Sequence, residues 1–496
     1  MKNNTVIKPI MAIVIFALFL AFCFDLSTES IRNPGFCFLI VCTILTIVIF
    51  RNNFPKTAVF YTMLTGMLLK LAYVIYTPVW CRQHDVVDFG AGEGHAAYME
   101  YILSHKALPD FDPRSVWAFF QPPLHHLFSA VWMWFNIRMG IPENRMHKNV
   151  QILPLCYMCI LMLVVYLICK ELNMRRGMLV TMLAVSFHPI FILMSGSINN
   201  DALAVLLTVI SIYIAILWYM YPTTGKIVLL AVSIGLAMSA KLSSALVAPP
   251  IGLLMICKCG VDTGKFKDKA KTISYLLEFL AFAVIVFPLG LWWPVRNKVL
   301  FNMPVNYIPE VGEQVAKRGP VPTFFDVRTE SPFLYMKSNG FAYDEYNLIL
   351  ATIKSSLFGE GDFARISAAV NVLGWILFAI AVIVLILQIT AMIRTCISKE
   401  AGPDPMIKMF LCATFITFLG GYLLFAIKGA NLSAMNYRYS AASVAVLAIF
   451  AGLMYDREEV LGRKVLRYVL MGVTSAFAVA SCLFYLVIGL SITAIK

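Results

Sequence analysis

Charge is what this sequence has least of. Only 14% of its 496 residues are Asp, Glu, Lys or Arg, while 60% are hydrophobic. An ordinary globular domain runs at roughly 25% charged and about 45–50% apolar. A water-soluble chain could not hide that much apolar surface, so a polytopic membrane protein is implied and a soluble enzyme is excluded. Acidic residues are scarcer than basic ones, 27 against 40, for a formal net charge of +13. The basic excess lies in short loops between apolar runs, without a basic domain or interleaved aromatics, which argues against nucleic acid as a partner. Paired Cys-x-x-Cys motifs and a disulfide framework are missing. Most of the twelve cysteines sit inside apolar runs, as in Cys156-x-x-Cys159, and read as small packing residues. A separate soluble domain and an internal repeat of the transporter kind are missing too. The GAGEG run at 90–94 follows no strand and lacks the Rossmann spacing, so it reads as a flexible loop.

What is there is a succession of apolar runs near 9–24, 36–50, 56–78, 149–169, 178–195, 201–221, 225–241, 243–257, 273–294, 366–393, 406–427, 436–455 and 465–492. Their lengths predict about thirteen transmembrane helices. The first follows Lys2 and Lys8, like a signal peptide, but FCFDLSTES offers no small-x-small cleavage site, so it is expected to remain as an uncleaved span. The Trp- and Phe-rich segment 122–137 is ambiguous in length. If it lies in the interface, the loops RNNFPK, KELNMRRG, KCGVDTGKFKDKAKT, RTCISKE and DREEVLGRKVLR share one basic, cytoplasmic side with the N-terminus. If it spans, the lysine cluster at 265–271 faces outward. The positive-inside rule therefore favours the interfacial reading. The outer face then gathers the acidic loop 79–121, the SINND turn at 197–201, and a polar loop from about 296 to 346.

The loop CRQHDVVDFGAGEGHAAYMEYI at 81–102 concentrates His84, Asp85, Asp88, Glu93, His95 and Glu100. Such a cluster suits a metal site, a catalytic site or a solvated loop. His84, Glu93 and His95 are good ligand types for a divalent ion, although their spacing fits no standard motif and Glu93-x-His95 would diverge on a helix. HAAYMEYILSHK at 95–106 has the spacing of an amphipathic surface helix, with Tyr98 and Tyr101 as interfacial anchors. Asp201, opening a helix after Asn200, is expected to act as an N-cap.

Several stretches together resemble the GT-C class of membrane glycosyltransferases, especially the family 39-like enzymes (protein mannosyltransferases, lipid A aminoarabinose transferase and bacterial relatives). They are QHDVVDF…GEGHAAYMEYILSHKALPD, FFQPPLHHLFSA, HPIFILMSGSINNDALAVLL, GLAMSAKLSSALVAPP, WWPVRNKVLFNMPV and NYRYSAASVAVLAI, in family order over residues 56–455. The resemblance implies an all-α GT-C core at 56–455, with juxtamembrane helices in an outer loop at 79–148 and a second outer loop at 296–365. Two extra spans at 1–55 precede it, and 456–496 carries the C-terminal helix. It implies a polyprenyl-phosphate-linked sugar donor and a lipid, glycan or protein acceptor, in the plasma membrane of a bacterium, with the N-terminus cytoplasmic and the active site extracytoplasmic.

Asp85 stands where such enzymes place their acidic residue, and a carboxylate there would deprotonate an acceptor hydroxyl. Asp88 and Glu93 are the reserve carboxylates. A lipid phosphate leaving group needs cations rather than a general acid, whereas a glycosidase would need two carboxylates. Arg296, Arg438, Lys241 and His125 are the expected donor-phosphate contacts, against the plainer reading of arginines snorkelling to headgroups. A divalent cofactor is left open, since enzymes of this kind differ in metal dependence. A lipid-linked sugar flippase, or an oligosaccharide ligase or polymerase of related fold, is the competing reading.

Overall fold

A computed structural model describes residues 55–79, 88–309, 325, 347–361, 363, 366–398, 402–428 and 432–495. The apolar runs 9–24 and 36–50 lie outside the described residues, as does the acidic stretch 80–87 with His84 and Asp85. No strand occurs among the described residues. The helices in chain order are α1 (Pro55–Tyr76), α2 (Gly94–His105), α3 (Leu124–Arg138), α4 (Glu143–Asn149), α5 (Ile152–Glu171), α6 (Gly177–Ser186), α7 (Pro189–Met194), α8 (Asp201–Met220), α9 (Thr224–Ala240), α10 (Ala248–Asp262), α11 (Lys269–Phe301), α12 (Leu348–Phe358), α13 (Ala368–Ile397), α14 (Pro405–Lys428), α15 (Ala442–Val460) and α16 (Lys464–Ile495).

Eight stretches among the described residues are long and apolar enough to cross a membrane. They contain α1, α5, α8, α10, α11, α13, α14 and α16. The protein is thus an integral membrane protein. Of the eleven expected spans that fall within the described residues, three do not reach that length and composition: α6 and α9 have only 10 and 17 residues, and α15 ends in the charged Asp456–Glu459. The run 178–195, expected as one span, is two helices. His188 stands before Pro189, a position disfavoured for helix, and its Nδ1 accepts the Ile190 N–H at 3.3 Å to start α7 afresh.

α3 has 15 residues, about 22 Å at 1.5 Å per residue, too short for a hydrocarbon core about 30 Å thick. It buries His125, His126, Ser129, Met133 and Asn136 on one side and exposes Phe128, Val131, Trp134 and Phe135 on the other. That apolar outer face suits a helix lying in the interface. α11 is the opposite case: its 33 residues reach about 50 Å, so its Trp293–Phe301 end projects among the loops.

The main apolar core is built by α5, α6, α8, α9, α14 and α15, and a second one by α1, α13 and α16. Short connections between neighbouring helices alternate their directions. One face of the bundle gathers the ends at Glu171 and Gly177, Met220 and Thr224, Asp262 and Lys269, Ile397 and Pro405, and Val460 and Lys464. There Asp456 caps α6, accepting the Arg175 and Gly177 N–H groups at 2.7 Å each. α6 and α15 cross at two glycines: a Cβ on Gly177 would lie 2.0 Å from the Gly452 carbonyl oxygen. The opposite face gathers the ends at Tyr76, Ile152, Met194 and Asp201, Ala240, Phe301, Phe358 and Ala442.

Candidate active site

The charges that the apolar cores exclude meet at that second face. α8 begins at Asp201, whose N–H is accepted by Asn199 Oδ1 at 3.1 Å. Asn199 therefore satisfies this orphan donor, and the expected capping role for Asp201 is corrected. The Asp201 carboxylate faces two cations instead. Lys241 Nζ donates to Oδ1, and Arg438 Nε lies 3.3 Å from Oδ2. Both partners are placed by helix ends. Lys241 leaves α9 with extended backbone, φ −155° and ψ 124°, and its N–H is bonded to Ala237 O at 2.9 Å. An anion at the start of α8 and a cation at the end of α9 each complement a helix dipole. Asn200 Nδ2 ties the two ends together by donating to Ala240 O at 2.6 Å.

Arg438 comes from the 3₁₀ turn Tyr437–Ser440, opened by Asn436, whose Oδ1 accepts the Arg438 N–H at 3.0 Å. The same side chain donates through Nδ2 to Glu360 Oε1 at 2.9 Å. Glu360 also stands 4.0 Å from Arg438 Nη1. It follows α12 through Gly359, whose φ of 59° with ψ of −134° is open to glycine alone at little strain. Tyr439 lies beneath both cations, with Lys241 Nζ 4.6 Å and the Arg438 guanidinium 5.3 Å from its ring centre. Asp201, Lys241, Ser244, Phe418, Arg438 and Tyr439 line one pocket here. Asp201 and Glu360 side chains are 4% and 7% exposed, and those of Lys241 and Arg438 16% each. Desolvation on this scale is tolerable because two cations meet two carboxylates.

The other expected residues are distributed differently. Asp88 and Glu93 are exposed, and Glu93 precedes α2 without a capping bond. Glu100, not singled out for a role, accepts the Gly90 N–H at 3.0–3.1 Å and closes the 88–93 loop onto α2. Arg296 does not join Lys241 and Arg438. Its guanidinium donates to Pro109 O at 2.5 Å and Asn297 Oδ1 at 2.9 Å, and lies 4.9 Å from the Trp293 ring. These partners are neutral, and they pin the juxtamembrane loop to the end of α11.

His125, expected as a donor-phosphate contact, lies in the first turn of α3. It is fully buried and its Nε2–H donates to Ile198 O at 2.9 Å. Burial lowers its pKa to about 4, although the Ile198 bond acts the other way. It stays uncharged at neutral pH. His95 is buried on α2 and shares a 2.9 Å hydrogen bond, Nδ1 to Nε2, with His126. It thus diverges from exposed Glu93, as a helix requires. Among the described residues no three His, Cys, Asp or Glu side chains converge as a metal site, and Asp201 and Glu360 already face cations; His84 lies outside the described residues. Tyr98 is no interfacial anchor: it is 0% exposed and stacks 4.5 Å from Phe119 and 4.3 Å from His126.

An apolar helix bundle with polar side chains collected at one end is a fold this chain shares with solved membrane glycosyltransferases of the GT-C kind, to which it is similar. A family model described as dolichyl-phosphate-mannose-protein mannosyltransferase matches residues 131–292. No curated protein sequence matches the chain significantly. Among solved structures it is similar to the archaeal oligosaccharyltransferase AglB of Archaeoglobus fulgidus, in complex with an inhibitory peptide and a dolichol-phosphate. The identity is 14% and the TM-score 0.50, over 88% of this chain and 56% of that one. A second structure of the Archaeoglobus fulgidus enzyme, with Zn and sulfate, gives 13% identity and TM-score 0.50, over 86% and 53%. The chain thus spans a little over half the length of that enzyme. ArnT from Cupriavidus metallidurans, bound to undecaprenyl phosphate, gives 14% identity and TM-score 0.48, over 86% and 76%.

Proposed function

We propose that this protein transfers a sugar from a polyprenyl-phosphate-linked donor to a hydroxyl of a lipid, glycan or protein acceptor at the extracytoplasmic face. The observation that carries the reading is the convergence of Lys241 and Arg438 on one pocket, at the bundle end that also receives the end of α1 at Tyr76. The basic connections Arg175–Arg176, Lys265–Lys271 and Arg463–Lys464 belong to the other end, which supports a cytoplasmic assignment for that side.

In this mechanism the acceptor oxygen attacks the anomeric carbon as Asp85 takes its proton, and the bond from that carbon to the phosphate oxygen breaks. A single displacement inverts the anomeric centre. The departing phosphate is stabilised by Lys241 and Arg438, which share their charge between it and Asp201 and Glu360. Ion pairs present before the donor arrives hold both cations in place, so little reorganisation is required. Arg296 enters as a loop brace near the same rim.

A flippase would be expected to use ionisable groups within the membrane. Lys70 of α1 is fully buried, but its Nζ donates to Ser186 O at 2.7 Å, where it satisfies the interrupted end of α6. The test is transfer from synthetic mono- and pyrophosphate-linked donors by purified Asp85→Asn, Lys241→Met and Arg438→Met, with folding checked by detergent chromatography. Asp85→Asn is expected to abolish turnover, and the cation variants to raise the donor KM at least tenfold. Unchanged transfer by Asp85→Asn would remove it as the base.

A further inference from the structure

The sequence feature that the proposed reaction leaves unused is the lysine-rich turn between α10 and α11. Residues 263–268 read TGKFKD, and Lys265, Lys267, Lys269 and Lys271 fall within seven positions. All four are exposed, and none makes an ion pair within the described residues. The one carboxylate among them, Asp268, caps α11 by accepting the Lys271 N–H at 3.1 Å.

The backbone here is unusual. Gly264, Lys265 and Phe266 have φ of 59°, 61° and 69°, three left-handed residues in a row, two of them not glycine. Side chains with a Cβ avoid this region, and a bulky aromatic there is an outlier. Three hydrogen bonds hold it: Lys265 N–H to Gly260 O at 2.7 Å, Phe266 N–H to Thr263 Oγ1 at 3.0 Å, and Asp268 N–H to Thr263 O at 3.1 Å. The product of this strain is a tight knuckle that turns an aromatic ring outward: Phe266 is 54% exposed. Beside it, Val261 and Ile273 on the two flanking helices are 62% and 57% exposed, as suits groups facing lipid.

We propose that this knuckle is a contact for anionic phospholipid headgroups, in which the lysines meet the phosphates and Phe266 sinks to the acyl boundary. Charge complementarity identifies the occupant. Four unpaired lysines at the end of two apolar helices face the headgroup level, where anionic lipid is the abundant negative partner, and the exposed ring adds an apolar foothold that a soluble anion would not use. Each lysine near such a surface contributes on the order of a fivefold preference at low salt, which falls as ions screen it.

The experiment is native mass spectrometry of the full chain, released from micelles doped with equal phosphatidylglycerol and phosphatidylcholine, which requires no transfer activity. The wild type is expected to retain phosphatidylglycerol at least tenfold over phosphatidylcholine, with the preference shrinking at high ammonium acetate. K265Q/K267Q/K269Q/K271Q is expected to lose the preference and the corresponding four-arginine variant to keep it. Phe266→Ser is expected to keep the selectivity and shorten retention. Equal phosphatidylglycerol retention by the wild type and the four-glutamine variant, or a preference indifferent to salt, overturns the proposal. A four-glutamine variant that fails to fold leaves the salt series and Phe266→Ser to decide.

Discussion

Asp201→Asn is the sharpest probe of the charge cluster. The substitution preserves size and removes a carboxylate that contacts both Lys241 and Arg438. The side chains concerned are 4%, 16% and 16% exposed, so solvent screens them little. Breaking a buried pair by removing one partner costs about 3–5 kcal/mol, because the surviving charge stays desolvated. Lys241 stands at a helix end and can draw its ammonium toward headgroups along its flexible stem, which places the expected loss near the lower bound, about 3 kcal/mol. For a chain of this size that corresponds to a fall of roughly 3 °C in the midpoint. Lys241→Met in the Asp201→Asn background removes one stranded cation, so the double variant should recover about 1–2 kcal/mol relative to the sum of the single effects. The assay is tryptophan-fluorescence melting in lipid nanodiscs at one fixed scan rate, since such midpoints are rate-dependent. Single effects that add to within about 0.5 kcal/mol would show that the two residues are not coupled and would refute the reasoning.

Three further outcomes are expected. Gly177→Ala puts a methyl group 2.0 Å from the Gly452 oxygen, so α6 and α15 must separate; overpacking of this kind costs about 1–3 kcal/mol and should show in the melting midpoint, with Gly225→Ala, where a Cβ meets nothing within 4 Å, as the neutral control. His125 gives a pH signature: burial holds its folded pKa at about 4, below the ordinary histidine value of 6.5, so its contribution is fully present above pH 6.5 and is lost as the pH falls toward 4, by about 3 kcal/mol in all. His125→Gln should flatten that part of the midpoint–pH curve, and an unchanged curve would exclude His125 as a source. Asp456→Ala strips the cap from α6, where two N–H groups donate at 2.7 Å; a loss of about 1–2 kcal/mol is expected, with faster amide exchange at Arg175 and Gly177.

Apolar length made most of the helices readable, and the basic loops marked helix ends that gather on one face of the bundle. Both signals are local. The interfacial placement of 122–137 followed from charge bookkeeping along the chain and agrees with a helix of 15 residues. The broken span at 178–195 carried its own signal in His188-Pro189, which hydropathy alone overlooks. The charge cluster was only half legible. Lys241 and Arg438 stood out as cations at helix ends, but their meeting on Asp201 depends on how α8, α9 and α15 pack, and sequence separation says nothing of that. Glu360 was missed, although an acid between two glycines in FGEGDF, after an apolar stretch, marks a turn that delivers a carboxylate. The local contacts of Arg296 and His125 were not legible, for a shared reason. A residue type names what a side chain can bind, not the local carbonyl, Pro109 O or Ile198 O, that receives one of its N–H groups.

The four members of the charge cluster enter the chain in the order Asp201, Lys241, Glu360, Arg438. A protein emerging from the ribosome would therefore form the neutral Asp201–Lys241 pair first. It would then carry an excess negative charge once Glu360 is in place, and become balanced only when the turn before α15 arrives. The charges are thus balanced before the last two helices, α15 and α16, have been added. A chain halted before Arg438 holds three of the four charges, one cation and two carboxylates.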